Sequence, residues 1–186
     1  MRHRRSIAAL GAAAVAGLGL MQLVPTTGAA TGQAAANKEA RGVIRGADGK
    51  VLGAITLEQD GKVVKVAIRA RGLPNGFHGL HLHAIGSCKR PDFMSAGGHV
   101  GPNTHSQHPG DLPSLLVNSN GRARLAFESD HFSIRGIKDA DSSALIIHAG
   151  TDNFANIPPR YAPAGPDATT LATGDSGGRI ACAVIR

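Results

Sequence analysis

Residues 51–71 read Val51-Leu52-Gly53-Ala54-Ile55-Thr56-Leu57-Glu58, then Gln59, then Asp60-Gly61, then Lys62-Val63-Val64-Lys65-Val66-Ala67-Ile68-Arg69-Ala70-Arg71. In the second half Val64, Val66 and Ile68 alternate with Lys65, Ala67 and Arg69. A period of two sends one face into a core and the other into water, the pattern of a half-buried strand. Asp-Gly between two such runs signals a tight turn. The same grammar continues outward. Pro74-Asn75-Gly76 turns the chain into a strand over Phe77–Ile85, Ser114–Asn118 and Arg122–Glu128 flank an Asn120-Gly121 hairpin turn, and Leu145–His148 and Arg179–Ile185 are further strands. From residue 41 onward no helical period is sustained. Short strands at this spacing predict an all-β sandwich or barrel. Two stretches are too long to be turns: the Gly- and Pro-rich segment 86–113, and the Pro-, Asn- and Gly-rich segment between His148 and Arg179. Loops of that length in a compact β domain usually carry function.

The remaining sequence sets the context. A chain of 186 residues is the size of one domain, which excludes a large two-domain enzyme. Aromatic residues make up 3%, too few for the stacking platforms of a single-strand nucleic-acid reader. Arg2, Arg4 and Arg5 precede an apolar run from Ile7 to Val24, and small residues follow at Gly28-Ala29-Ala30 and Ala34-Ala35-Ala36. A positive start, an apolar stretch and small residues at a cleavage point describe a secretory signal peptide over residues 1–30, with later cleavage points up to Ala36. The run is short and weak for a permanent span, so no stable membrane segment is expected after cleavage. Arg4-Arg5-Ser6-Ile7 has a faint twin-arginine character. Removing this leader removes three positive charges, and the modest positive balance that remains is scattered, so no nucleic-acid partner is expected. Residues 31–40 are Ala-, Gly- and polar-rich and read as a disordered tether to a domain over 41–186. The chain has two cysteines, Cys88 and Cys182. In an exported protein a lone pair reads as one disulfide, with two buried free thiols as the alternative.

Histidine is the informative residue. His81 and His83 lie two apart in Gly79-Leu80-His81-Leu82-His83, so both imidazoles leave one face of a strand while Leu80 and Leu82 point to the core. His78 falls on the opposite face by parity and is read as structural. The first long loop then supplies His99 and the run His105-x-x-His108-x-x-Asp111, and His148 ends a strand with Asp152 four residues later. A single loop histidine is ordinarily solvated. A paired i, i+2 start with this many further imidazoles and a carboxylate points instead to a metal site, and imidazole-dominated ligation suits copper and zinc rather than magnesium or calcium.

With these residues in place, the sequence resembles the copper/zinc superoxide dismutase family, and especially its exported actinobacterial members. The resemblance rests on Gly76-Phe77-His78-Gly79-Leu80-His81-Leu82-His83, Ser95-Ala96-Gly97-Gly98-His99 and His108-Pro109-Gly110-Asp111-Leu112-Pro113. It continues through Ile146-Ile147-His148-Ala149-Gly150, Asp152-Asn153-Phe154-Ala155-Asn156-Ile157-Pro158-Pro159 and Arg179-Ile180-Ala181-Cys182, in family order over residues 41–186. It implies an eight-stranded antiparallel Greek-key β-barrel or sandwich carrying its site on two long loops. It implies one copper per chain held by His81, His83, His99 and His148, and one zinc held by His99, His105, His108 and Asp111. Asp152 would link His81 to His105, Arg179 would draw an anionic substrate to copper, and Cys88 and Cys182 would form the family disulfide. The implied reaction is disproportionation of superoxide to oxygen and hydrogen peroxide, with His99 bridging the metals and carrying a proton, in a secreted or cell-envelope location. A homodimer is one assembly such a chain can form. The sequence departs from the family pattern in a short zinc loop, six residues from His99 to His105 and three more to His108. His105 is therefore the ligand most in need of a test, with copper binding alone as the other outcome.

Two competing readings remain. Gly174-Asp175-Ser176-Gly177-Gly178 satisfies the nucleophile pattern of serine hydrolases, but no histidine follows Ser176 and ten residues cannot complete a trypsin-like domain. That stretch reads more simply as a flexible loop end. A non-catalytic copper-binding module or carrier on the same scaffold is the second, since a fold does not fix a function. Arg179 separates such a carrier from a dismutase, because a storage site has no need of a cation beside an open copper position, whereas an enzyme acting on an anion does.

Overall fold

The computed structural model describes residues 38–102 and 104–186, so the signal-peptide reading of 1–30 and the tether up to residue 37 lie outside the described residues. Among the described residues nine antiparallel strands form one sheet: β1 (Glu39–Gly46), β2 (Val51–Asp60), β3 (Val63–Arg71), β4 (Gly76–His78), β5 (Leu80–His83), β6 (Leu115–Val117), β7 (Arg122–Ser129), β8 (Ala144–His148) and β9 (Arg179–Val184). Their order is β4-β6-β7-β3-β2-β1-β9-β8-β5. Pairing of β3 with β7 and of β1 with β9 carries the chain across the sheet between sequence-distant strands, connectivity of the Greek-key kind.

The ninth strand comes from splitting the run expected over Phe77–Ile85. At Gly79 the chain leaves β6, which pairs with β4, and joins β8, which pairs with β5. Because β4 and β5 are the two ends of the strand order, this switch nearly closes the sheet into a barrel. Gly79 hydrogen-bonds to Gly150 and His148 through its backbone, and a side chain there would collide with Ser176. Only glycine fits so close a backbone approach.

A second correction lies at the N-terminal edge. Glu39 and Ala40, expected within the tether, belong to β1 and pair with Glu58 and Leu57. The inward positions of β1 are Ala40, Gly42, Ile44 and Gly46; only Ile44 is large, and a side chain on Gly42 would collide with β9 at Ala183 and Val184. The barrel there leaves little room for large side chains, so the hydrophobic alternation that marks β3 is nearly silent in β1.

The alternation in β3 holds as read, with Val64, Val66, Ile68 and Ala70 buried and the residues between them exposed. They meet Ile44, Ile55, Leu80, Leu82, Leu115 and Leu145 in the main core. Strand β8 is buried on both faces. Leu145 and Ile147 enter the barrel, whereas Ala144 and Ile146 pack under the first long loop with Phe93, Ala96 and the cysteines. Helical structure among the described residues is confined to a 3-10 turn at Met94–Ala96, α1 (Ile134–Ile137) and α2 (Ala168–Thr173), too short for any sustained period in the sequence. No helix among the described residues is long and apolar enough to cross a membrane.

Candidate metal centre

Strand β5 is an edge of the sheet, and the first long loop covers it. Val100 donates to the Leu82 carbonyl at 2.8 Å, Leu82 to Gly110 at 2.8 Å, Ala84 to Gly98 at 2.9 Å and Leu112 to Leu80 at 3.2 Å. The loop therefore continues the ladder on a strand that would otherwise offer unpaired backbone groups. The pairing also fixes what stands beside the strand histidines, placing Asp111 across from His81 and His99 across from His83. His148 arrives from the other side at the end of β8, which pairs with β5.

Four imidazoles meet in this space. Nitrogens of His81, His83, His99 and His148 all lie within 4.8 Å of one another. Three are oriented from behind. His83 Nδ1 donates to the Gly97 carbonyl at 2.8 Å, His148 Nδ1 to Gly177 at 2.9 Å, and His81 Nε2 to the Asp152 carboxylate at 2.7 Å. The opposite nitrogen of each ring, His83 Nε2, His148 Nε2 and His81 Nδ1, is buried without a hydrogen-bond partner. Buried polar atoms are nearly always satisfied, and three unsatisfied lone pairs in one space are what a metal ion would complete. Burial pushes the His83 imidazole down to about 2 and the His148 imidazole down to about 3 despite their carbonyl acceptors, and lowers His99 as well. All three are thus neutral near pH 7, the form that ligates a metal.

Beside this group the Nδ1 atoms of three loop histidines converge on one carboxylate. Asp111 Oδ1 lies 2.8 Å from His99 Nδ1 and 3.1 Å from His105 Nδ1, and Oδ2 lies 3.1 Å from His108 Nδ1. The His105 contact is short yet lacks hydrogen-bond geometry, so that nitrogen too is an unsatisfied buried atom. Burial opposes ionisation of Asp111, but His105 and His99 hold it well below the usual carboxylate range. Burial likewise opposes a charge on His105, and Asp111 and Asp152 outweigh it, raising that imidazole to about 9. The set within 4.8 Å here is His81, His99, His105 and Asp111, with His81 in the place expected for His108. His81 enters it because its ring stacks on His99 at 4.0 Å between centroids, while its Nε2 is turned to Asp152. Nitrogen and oxygen donors in this number suit zinc.

Asp152 joins the two groups. Its carboxylate accepts from His81 Nε2 and from His105 Nε2, each at 2.7 Å, and from the Phe154 backbone at 2.7 Å. Despite burial, those histidines hold it well below the usual carboxylate range. Such a link fixes ring orientation in both groups at once. Arg179 stands at the start of β9, opposite His148, and its guanidinium donates to the Phe93 and Gly97 carbonyls at 2.9 and 2.7 Å. Its charge is among those acting on both His83 and His148. His78 lies outside the cluster, with its ring nitrogens 2.7 Å from the His148 carbonyl and 3.0 Å from the Pro74 carbonyl. Cys88 and Cys182 are joined in a disulfide that ties the first loop to β9.

The segment 174–178 corrects its sequence reading. It is a wall of the site and not a loose loop end. Ser176 is fully buried and donates to the Thr173 carbonyl at 3.0 Å, while its own carbonyl accepts from Gly150. Gly177 supplies the acceptor that orients His148, and a side chain on Gly174, at φ +58°, would collide with Asp152 and His105. Phe154, which the sequence reading gave no role beyond its place in a family motif, lies nearly parallel to His105 at 6.4 Å between ring centroids. Backbone carbonyls carry no residue signature, so neither Gly97, two residues before His99, nor Gly177, far along the chain from any histidine, had a signal in the sequence.

The profile of the family described as copper/zinc superoxide dismutase (SODC) matches residues 51–185. The chain belongs to that family. The superoxide dismutase [Cu-Zn] of Mycobacterium tuberculosis is 46% identical over 130 residues, a match covering 61% of this chain and 54% of the relative, so the chain spans about half the length of that protein. The superoxide dismutase [Cu-Zn] of Escherichia coli is 31% identical over 185 residues, covering 91% of this chain and 97% of the relative. Among solved structures, a SOD-like protein from Bacillus subtilis aligns with a TM-score of 0.64 at 31% identity, covering 77% of this chain and 95% of the other.

Proposed function

We propose that the protein is an exported superoxide dismutase that disproportionates superoxide to oxygen and hydrogen peroxide. His81, His83, His99 and His148 would hold copper, and His99, His105, His108 and Asp111 would hold zinc. Bound copper would supply the one-electron chemistry, taking an electron from one superoxide and returning it to the next. The observation that carries this reading is the set of three buried, partnerless imidazole nitrogens within reach of a fixed guanidinium.

The chain's own groups supply the rest. Arg179 offers positive charge beside the histidines and attracts the superoxide anion, and its two carbonyl acceptors keep it from collapsing onto a carboxylate. His99 has Nδ1 turned to Asp111, which leaves Nε2 as the ring nitrogen that can hold a proton for the product. Asp152 keeps the His81 and His105 rings in place. Export agrees with the basic and apolar leader and with the disulfide, which persists in an oxidising compartment.

The deciding experiment loads purified protein with copper and zinc, measures metal per chain, and follows superoxide decay by pulse radiolysis. The His83→Ala protein should keep its β-sheet circular dichroism, lose copper and lose turnover. Full copper loading of the unaltered protein without superoxide consumption would identify a copper carrier instead.

A further inference from the structure

The outward face of β3 and β7 carries an arrangement that folding alone disfavours. Register places Arg69 directly across from Arg124 and Arg71 directly across from Arg122. Residues opposite each other in an antiparallel pair have Cβ atoms about 5 Å apart, and residues two apart on a strand are separated by roughly 6.6 Å. All four side chains are exposed, and the positions between them, Ala70 and Ala123, are buried. The result is a two-by-two grid of guanidinium groups on one face. None of the four forms an ion pair among the described residues. The acidic residues of the same face lie at its other end, where Glu58 and Glu128 flank Lys65. Like charges directly opposite each other weaken a sheet.

We propose that Arg69, Arg71, Arg122 and Arg124 form a docking face for a linear polyanion whose charges are phosphate groups. The chemistry selects phosphate. A planar carboxylate satisfies one guanidinium fork, whereas a tetrahedral phosphate has oxygens for both members of a cross-strand arginine pair. The two registered pairs then take two phosphates along one chain. The neighbouring outward residues Ala54, Thr56, Ala67 and Ala126 are small. Between the arginines the face therefore carries no bulky side chain, while exposed Leu116 and Phe77 line its edge on β6 and β4. The proposal is independent of the metal centre.

Fluorescein-labelled inorganic polyphosphate, titrated with the full metal-loaded chain and followed by anisotropy, tests it. The unaltered protein should bind, and binding should weaken steeply between 50 and 200 mM salt. Combining Arg71→Gln with Arg122→Gln should lower affinity by about tenfold or more and flatten the salt slope. Removing as much charge elsewhere, with Lys89→Gln and Arg135→Gln, should leave both unchanged. The first double variant should melt at or above the unaltered protein, since it relieves a repulsion. Absence of binding, an equal loss in the control variant, or a lower melting temperature from Arg71→Gln and Arg122→Gln would overturn the proposal. So would preferential binding to phosphatidylglycerol vesicles, which would make the face a membrane contact.

Discussion

Arg179 and His83 hang from the same atom. The carbonyl oxygen of Gly97 accepts from Arg179 Nη2 at 2.7 Å and from His83 Nδ1 at 2.8 Å. One backbone group therefore sets both the direction of an imidazole in the four-histidine group and the position of the cation beside it. The Phe93 carbonyl adds the second restraint on the guanidinium. Since Cys88 anchors the same loop to β9 and Phe93 and Ala96 pack in the small core beneath it, the disulfide and that core hold the guanidinium in register with the histidines.

Arg179→Ile removes the charge and leaves the histidines. Superoxide turnover should fall by about tenfold or more at low ionic strength, and its dependence on salt should flatten, because a steering charge is screened within roughly a Debye length. Copper content should stay at one per chain. Turnover and salt slope equal to those of the unaltered protein would mean that Arg179 is a structural clamp of the loop and nothing more.

Gly174→Ala tests the wall of the site. Alanine in the left-handed region costs roughly 1–2 kcal/mol, and here the added methyl group also meets Asp152 and His105. Displacing Asp152 disturbs the link between the two histidine groups, so zinc affinity should fall by about 10–100-fold. Competition with a chelator of known affinity measures it. Unchanged zinc affinity with only a lowered melting temperature would show that Asp152 does not govern the second metal.

The metal-free protein should have a defined stability profile with pH. His83 and His148 are pushed down to about 2 and about 3 from the ordinary 6.5, so below 6.5 the unfolded chain takes up protons that the folded one refuses. Their contribution is complete above pH 6.5 and is lost as pH falls toward 3. His105 is raised to about 9, so its contribution is complete below 6.5 and is lost as pH rises through 9. Melting temperature in the presence of a chelator should therefore peak near pH 6.5 and fall more steeply on the acid side. A melting temperature that stayed level or rose from pH 6.5 to 4.5 would contradict the neutral burial of these imidazoles.

Local pattern was enough to read β3, and parity alone placed His81 and His83 on one face with Leu80 and Leu82 in the core. What escaped that reading was set by contacts between distant segments. β1 begins at Glu39 unannounced because, apart from Ile44, its inward residues are only Ala40, Gly42 and Gly46. The break at Gly79 divides one apparent strand in two because the barrel needs a seam there. The stretch 174–178 looked loose by composition, yet Asp152 and His105 across the site leave no room for a side chain at Gly174, and the Gly177 carbonyl orients His148. The linking role of Asp152, implied by family resemblance, is matched by its contacts with His81 and His105.

His105 decides whether the short loop holds a second metal. Six residues from His99 can extend over about 20 Å, so chain length does not forbid convergence. The loop is also anchored, with the His105 backbone donating to the Leu171 carbonyl of α2 at 2.8 Å. Its ring is clamped between two carboxylates, Nε2 on Asp152 at 2.7 Å and Nδ1 beside Asp111 at 3.1 Å. Two buried carboxylates around one imidazole leave negative charge that a proton or a cation must balance, and zinc would balance it with three imidazole donors already turned toward Asp111. His105→Ala removes one donor and leaves Asp111 and Asp152 facing each other across the gap. Zinc should be lost, and the melting temperature should fall because a metal that binds only the folded state no longer stabilises it. Copper should largely remain, since His81, His83, His99 and His148 are untouched. Metal analysis and calorimetry of both proteins, each refolded with both metals, distinguish the outcomes. Unaltered protein that takes copper and no zinc, with a melting temperature equal to that of His105→Ala, would show that the shortened loop has given up its second metal.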